Sequence, residues 1–297
     1  MEIGRFFRTV GEDEENAFSK SALSQSRKNL DHRFFIEWGS VLLKGFYTDN
    51  EAGVRRWKGF RLMGTDGSTA CVKGLPEVSK FFGVQKNQSS SVPMARMHVH
   101  FDLLNHMAWK SVMSPLAESE SHHAVQALDE LEDDMLTIYD RGYAGFAFMY
   151  LNIIKKKHFV IRYPAGFCNE IKAFEESASG SSILTFKAGR NAVKRLQSFE
   201  CSAAADTEVQ ARAVKVRLDN GETGILVTSL LDEASTGVSK IINLFYDPLY
   251  SFSKVFAHSF LIDSIELGQP ARKDAIIYEY QYILMTLTGS YPTRSDK

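Results

Sequence analysis

The spacing of apolar residues along the chain changes several times, and each change marks a different predicted element. Over 18–46, apolar side chains recur every three or four positions, which predicts helix. Over 60–64 they alternate with other residues, which predicts a strand, and 66–68 then predicts a tight turn before a return strand over 69–72. The mostly polar stretch 84–93 predicts a loop.

The middle of the chain alternates between strand and helix patterns. One pair of strand patterns flanks a strongly apolar helix pattern, and this order implies two parallel strands joined by a right-handed crossover. An earlier pair of strand patterns predicts a hairpin. The predicted segments are strands over 97–102, 108–113, 135–139 and 158–163, and helices over 121–131 and 146–154.

After residue 181 the pattern becomes β-rich, with strands over 183–186, 211–218 and 224–229, and helix returns from 235 towards 288. This mixture predicts an α/β (α+β) protein with a ribonuclease H-like mixed sheet flanked by helices. We expect a helical N-terminal region over 1–56, which could contact DNA. The core then covers 57–297 and carries an inserted β-rich segment at about 175–222.

Composition narrows the class of protein without deciding its partner. The 297 residues are 44% hydrophobic and 24% charged, which is ordinary for a soluble globular protein. The absence of a signal peptide pattern or a long apolar run, and three widely spaced cysteines, predict a cytoplasmic protein with reduced thiols. The net charge of −1 argues mildly against nucleic acid, yet basic clusters stand at 55–58, 155–157 and 190–195, as solvated surface or as phosphate contacts.

Two aspartates are placed where an α/β sheet can build a site. Asp66 and Asp140 each follow a predicted strand, and the carboxyl ends of neighbouring strands are where such sites assemble. Two carboxylates there can hold divalent cations for phosphodiester chemistry. The alternative is that each aspartate is an ordinary turn residue.

Six blocks in the same order resemble the insertion-sequence DDE transposases of the Tyr–Arg–Glu–Lys subgroup. They include the strand-and-turn block KGFRLMGTDGST, which contains Asp66, and the block TIYDRGYAGF, which contains Asp140. The resemblance covers most of the chain up to about residue 246. The six blocks are 20–30, 58–69, 99–107, 137–146, 159–162 and 221–232.

The resemblance implies an enzyme of DNA transposition that hydrolyses a phosphodiester at the element's ends and transfers the freed strand to target DNA. Asp66 and Asp140 would then be catalytic residues that bind Mg²⁺, with Mn²⁺ as a substitute. The expected partner is double-stranded DNA, at transposon ends and target, in the bacterial nucleoid, with a homodimer as one form of assembly and no membrane. The residues expected to contact DNA are Arg141, Tyr143, Lys155, Lys156 and Lys157, and bracing of the site is the alternative for Arg141 and Tyr143.

The third acidic motif of the resembled family is missing. Where it has Arg, Glu and Lys, this chain has Leu249, Ser253 and Phe260. Pro248 also falls inside the expected helix, which it would kink or break. Two-metal sites need their full set of ligands, so the sequence predicts little or no cleavage with Mg²⁺. A catalytically inactive, transposase-derived DNA-binding protein is therefore the alternative function.

A group of histidines offers a different site chemistry. Histidines with a period of two on one strand could bind zinc, but they are more often the solvated face of that strand, and this second interpretation is favoured. The group comprises His98, His100, His106, His122 and His123.

Overall fold

A mixed sheet is the frame of the molecule, as seen in a computed structural model that describes residues 21–22, 25, 33–72, 74–86, 91–217, 221 and 223–232. Nine strands among these residues join in the sheet. They are β1 (Arg61–Cys71), β2 (Val84–Lys86), β3 (Ser91–Asp102), β4 (Met107–Pro115), β5 (Met135–Tyr139), β6 (His158–Tyr163), β7 (Ser181–Lys187), β8 (Glu208–Arg217) and β9 (Thr223–Thr228).

Six α-helices with printed bounds accompany the sheet. A π-helical turn, Gly45–Asp49, follows the first helix, and a 3₁₀ turn, Arg141–Tyr143, follows β5. The helices are α1 (Arg33–Lys44), α2 (Pro76–Phe82), α3 (Glu120–Ala127), α4 (Phe146–Ile154), α5 (Asn169–Glu176) and α6 (Arg190–Ser198).

The strand order is the one expected for a ribonuclease H-like sheet. β1 pairs antiparallel with β3, and β3 pairs antiparallel with β4. On its other side β1 pairs parallel with β5, and β5 pairs parallel with β6 through the crossover helix α4. The order β4-β3-β1-β5-β6 therefore places β1 at the centre, and the mixed α/β sheet flanked by helices is confirmed.

The predicted inserted β segment extends this sheet. β9 pairs antiparallel with β6, β8 with β9, and β7 with β8. The chain between β6 and β9 thus adds two strands and the helices α5 and α6 before it returns to the edge of the first five strands.

The two faces of the sheet bury different side chains because strand residues alternate between faces. One face packs against α3, α4, α5 and α6, and Met63, Tyr139, Phe148 and Phe159 lie in that layer. Leu62 belongs to the opposite apolar layer. The sequence of α4, FAFMYLNII, is apolar on all sides, as suits a helix buried in the interior.

The end of the N-terminal helical region is tied to the core by one buried carboxylate. The Tyr47 hydroxyl donates to Asp102 Oδ2 at 2.8 Å, and the backbone amides of Leu104 and Asn105 donate to Asp102 Oδ1. Asp102 is fully buried, so these donors replace the water that it loses. The Arg61 guanidinium lies over the Tyr47 ring, 4.6 Å from its centroid.

Two sequence predictions were wrong in this region. The turn predicted at 66–68 does not form, because β1 continues through it to Cys71 and pairs with β3 from Met63 to Cys71. The loop predicted over 84–93 contains β2 and the start of β3, which pair antiparallel. Long pairing with β3 overrides the local turn preference of an Asp-Gly-Ser sequence.

The helix predicted from 235 to 288 and the position of the missing third motif lie outside the described residues. In the part of the chain that is described, no helix is long and apolar enough to cross a membrane.

Candidate active site

Asp66 and Asp140 occupy equivalent positions on the two central parallel strands. The register of β1 and β5 ends with Thr65 opposite Tyr139, so each aspartate is one residue further along its strand. Neighbouring strands lie about 4.8 Å apart, which brings the two residues to the same short stretch of the sheet edge. Asp140 is exposed and Asp66 is half-buried.

Local backbone structure directs both aspartates. Asp66 is in regular strand, and its Oδ1 accepts a hydrogen bond from the Gly67 amide at 2.8 Å. Asp140 precedes the 3₁₀ turn, and its carbonyl oxygen accepts from the Tyr143 amide at 3.0 Å. Gly145, with φ of 145°, then begins α4 in a conformation that favours glycine.

Tyr143 lies beneath the aspartates rather than on the surface. Its ring packs against Tyr139 and Phe148, and its hydroxyl is 3.2 Å from His98 Nε2. Burial raises the pKa of Tyr143, and the negative charges of Glu120, Asp66 and Asp140 raise it further. A buried phenol does not reach a DNA phosphate in this arrangement. The expected DNA contact is therefore corrected to the alternative, a bracing role.

A further carboxylate, from Glu120, lies against the strand that carries Asp66. A Cβ built on Gly67 would be 2.3 Å from Glu120 Cδ and 2.7 Å from its Oε2, so only glycine leaves room for it. Glu120 is the first residue of α3, and Arg96 Nη1 binds its Oε1 at 2.7 Å. The Tyr143 hydroxyl thus has three acidic residues around it: Glu120, Asp66 and Asp140.

The strand histidines are buried, which overturns the expectation of a solvated face. His98 and His100 are each 1% exposed, because their face of β3 is covered by α3. Burial lowers the pKa of His98 to about 3 and that of His100 well below its ordinary value. His100 Nδ1 lies 2.9 Å from Thr65 Oγ1, and His123 Nε2 lies 2.7 Å from Ser114 Oγ. The group is a neutral buried layer beneath the aspartate edge.

The basic residues expected to contact DNA lie on opposite edges of the sheet. Arg141 is exposed beside Asp140, at the carboxyl end of β5. The lysines at 155–157 follow α4 and precede β6, which is the amino end of the parallel strands. Lys155 forms an ion pair with Asp129, and Lys157 Nζ lies 3.4 Å from Asp133 Oδ1. Arg141 alone of these side chains is next to the carboxylates.

The donor set at this edge fits a hard divalent cation only in part. Within the described ranges, no three His, Cys, Asp or Glu side chains are close enough together to form a metal site as they stand. The two carboxylates of Asp66 and Asp140 nevertheless match Mg²⁺, which proteins bind through one or two carboxylates together with water and phosphate oxygens.

Sequence reasoning missed Glu120 and Arg96. Glu120 is 54 positions from Asp66, and after Ser119 it has only the pattern of a helix start. The one sequence signal was Gly67 itself, since glycine inside a strand marks a close approach by another group.

Comparison with known proteins adds one sequence relative. The chain is 24% identical over 139 residues to "Putative transposase InsZ" of Escherichia coli (strain K12), a match that covers 44% of this chain and 44% of that protein. A solved structure, a piggyBac transposase synaptic complex with hairpin DNA, matches over 77% of this chain and 53% of that one, at 7% identity and a TM-score of 0.35. No family model matches. The chain thus spans less than half of its curated relative, and the sequence similarity supports a transposase-like protein.

Proposed function

We propose that this chain acts in DNA transposition as the core of a DDE-type transposase of the Tyr–Arg–Glu–Lys subgroup. The observation that carries the proposal is the placement of Asp66 and Asp140 at adjacent positions on the two central parallel strands. The similarity to a transposase in sequence supports the same assignment. Its chemistry is hydrolysis of a phosphodiester at the end of the element, followed by strand transfer to target DNA.

In this proposal the chain's own residues bind and orient. Asp66 and Asp140 would hold Mg²⁺, or Mn²⁺ in its place, and such ions activate the attacking oxygen and stabilise the leaving oxygen. Arg141 is exposed beside Asp140, and its guanidinium matches the geometry of a DNA phosphate. Tyr143 braces the turn between Asp140 and α4 from below.

Lys155, Lys156 and Lys157 remain in the proposal as a second phosphate contact at the opposite edge. Lys156 is exposed there, whereas Lys155 already pairs with Asp129. The alternative for this cluster is a solvated helix end.

A second candidate function is a transposase-derived protein that binds DNA without cutting it. The observation in its favour is the sequence around Ser253, which lacks the third acidic motif. A shift of reading frame is one origin of such a gap. Translating the encoding DNA in its other two frames beyond codon 243 tests this origin, because a Tyr–Arg–Trp–Glu-like run should then appear.

A nicking assay on the purified chain separates the two functions. Supercoiled plasmid and duplex DNA are incubated with Mg²⁺ or Mn²⁺, and Asp66→Asn and Asp140→Asn serve as matched variants. Metal-dependent nicking that both substitutions abolish supports the transposase. DNA binding without nicking supports the second candidate, and an absence of DNA binding at low salt contradicts both.

A further inference from the structure

Glu120 is placed by three independent contacts beside the two aspartates. Its carboxylate rests on the backbone of Gly67, the residue that follows Asp66. The printed distances put Oε1 on Arg96 at 2.7 Å and Oε2 over Gly67, so the two oxygens have different surroundings. Arg96 is itself fixed through Nη2, which donates to the Leu116 carbonyl at 3.2 Å.

The absence of a side chain at residue 67 is what admits this carboxylate. Any Cβ there would overlap Glu120 Cγ, Cδ and Oε2, each at less than 3.0 Å. A glycine in the middle of a strand costs stability relative to other residues, roughly 0.5–1 kcal/mol against alanine. Its presence in β1 is explained by the approach of Glu120.

A buried hydroxyl also connects the three acidic residues. The Tyr143 side chain carries the charge influence of Glu120, Asp66 and Asp140 together. Below it lies His98, which is 1% exposed and whose Nδ1 has no hydrogen-bond partner. The interior beneath this edge is therefore polar, with an unsatisfied nitrogen, as suits the floor of a site rather than ordinary core.

We propose that Glu120 is the third acidic residue of this site, and that its Oε2 completes with Asp66 and Asp140 the ligand set for a divalent cation. This rests on the proposed function, which supplies the metal-binding aspartates. Arg96 holds Oε1, so that the carboxylate is oriented before the cation binds. The chain then carries its third acid on the helix after β4 and needs no acid at Ser253.

The test is the affinity of the purified full chain for Mn²⁺, measured as free Mn²⁺ by electron paramagnetic resonance. We expect Glu120→Gln to weaken binding about tenfold or more, since loss of even an outer partner of a metal ligand costs 10–100-fold. Glu118→Gln is the matched control, because Glu118 begins the same helix but directs its carboxylate to His123. The control should bind Mn²⁺ as the unmodified chain does.

Gly67→Ala supplies a second variant that leaves the carboxylate chemistry intact. The new Cβ should displace the flexible end of Glu120, so Mn²⁺ affinity should fall as it does in Glu120→Gln. Arg96→Gln tests a purely structural role. If Glu120 only pairs with Arg96, then both substitutions lower the melting temperature alike and neither changes Mn²⁺ affinity, which overturns the inference.

The outcomes also separate this inference from the proposed function. Loss of Mn²⁺ binding in Asp66→Asn and Asp140→Asn, with full affinity in Glu120→Gln, would refute the role of Glu120 and leave the aspartate pair standing. Equal affinity in all variants, or no binding by the unmodified chain, would overturn both.

Discussion

Asp66 and Asp140 each stand one residue beyond the Thr65–Tyr139 pair that ends the parallel register of β1 and β5. Like charges held this close repel each other when no cation lies between them. Asp140→Asn should therefore keep or raise the stability of the metal-free protein, by about 1 kcal/mol or less. Thermal unfolding in EDTA and in Mn²⁺ measures this, and the rise caused by Mn²⁺ should disappear in the variant. A loss of several degrees in EDTA would show that Asp140 is structural.

The buried histidine layer should make the protein sensitive to acid. His98 has a folded-state pKa of about 3, far below the roughly 6.5 of an unfolded chain, so the unfolded state binds more protons over this interval. Its contribution to stability is complete above pH 6.5 and is lost as the pH falls from 6.5 towards 3. The loss is about 1.4 kcal/mol per pH unit for one such histidine.

Urea unfolding across this pH range measures the effect. The groups that face His98 are His100, His123, Lys110 and Tyr143, and the positive charges among them lower its pKa further. His98→Gln should flatten the slope, whereas His106→Asn, a change at an exposed histidine, should leave it unchanged. An equal slope in both variants would contradict this account.

Arg61 should contribute more to stability than any surface lysine pair. Its side chain is 3% exposed, and Nε binds Asp134 Oδ2 at 2.9 Å while the guanidinium covers the Tyr47 ring. Arg61→Gln should lower the free energy of unfolding by about 2 kcal/mol, within the range for a hydrogen-bonded charge. Lys155→Gln, which breaks the pair with the exposed Asp129, should change it by about 0.5 kcal/mol or less. Denaturant titration of both variants distinguishes them.

DNA affinity should depend on salt and on Arg141. Each phosphate contact contributes a slope of about −0.9 to the plot of log affinity against log salt for duplex DNA. Arg141→Gln should weaken binding and reduce the slope by about one contact, whereas Tyr143→Phe should leave both unchanged. Fluorescence anisotropy of a labelled duplex at several salt concentrations measures this. Binding that does not respond to salt would refute a phosphate contact altogether.

The sequence predicted most of the frame because the strand and helix patterns there are strong and local. The strands β5 and β6 and the helix α4 have the bounds that the patterns predict. The turn at 66–68 was wrong because its Asp-Gly-Ser signal is local, whereas nine register pairs with β3 are not. The burial of His98 and His100 likewise depends on α3, which no period-two pattern in β3 can reveal.

The site was only partly predictable for the same reason. Asp66 and Asp140 were identified from strand ends and matched blocks, although Asp66 proves to lie inside β1. Glu120 was missed because its relation to Asp66 exists only once α3 is laid over β1, above Gly67.

The central claim is that Asp66 and Asp140 together bind the divalent cation used for DNA chemistry. Anomalous diffraction from crystals soaked in Mn²⁺ tests it most directly. We predict an anomalous peak at the end of β5, with carboxylate oxygens of both residues about 2.0–2.2 Å from the ion, close to the distances of the smaller Mg²⁺. A Mn²⁺ peak bound elsewhere, with this edge open to solvent and empty, would contradict the account.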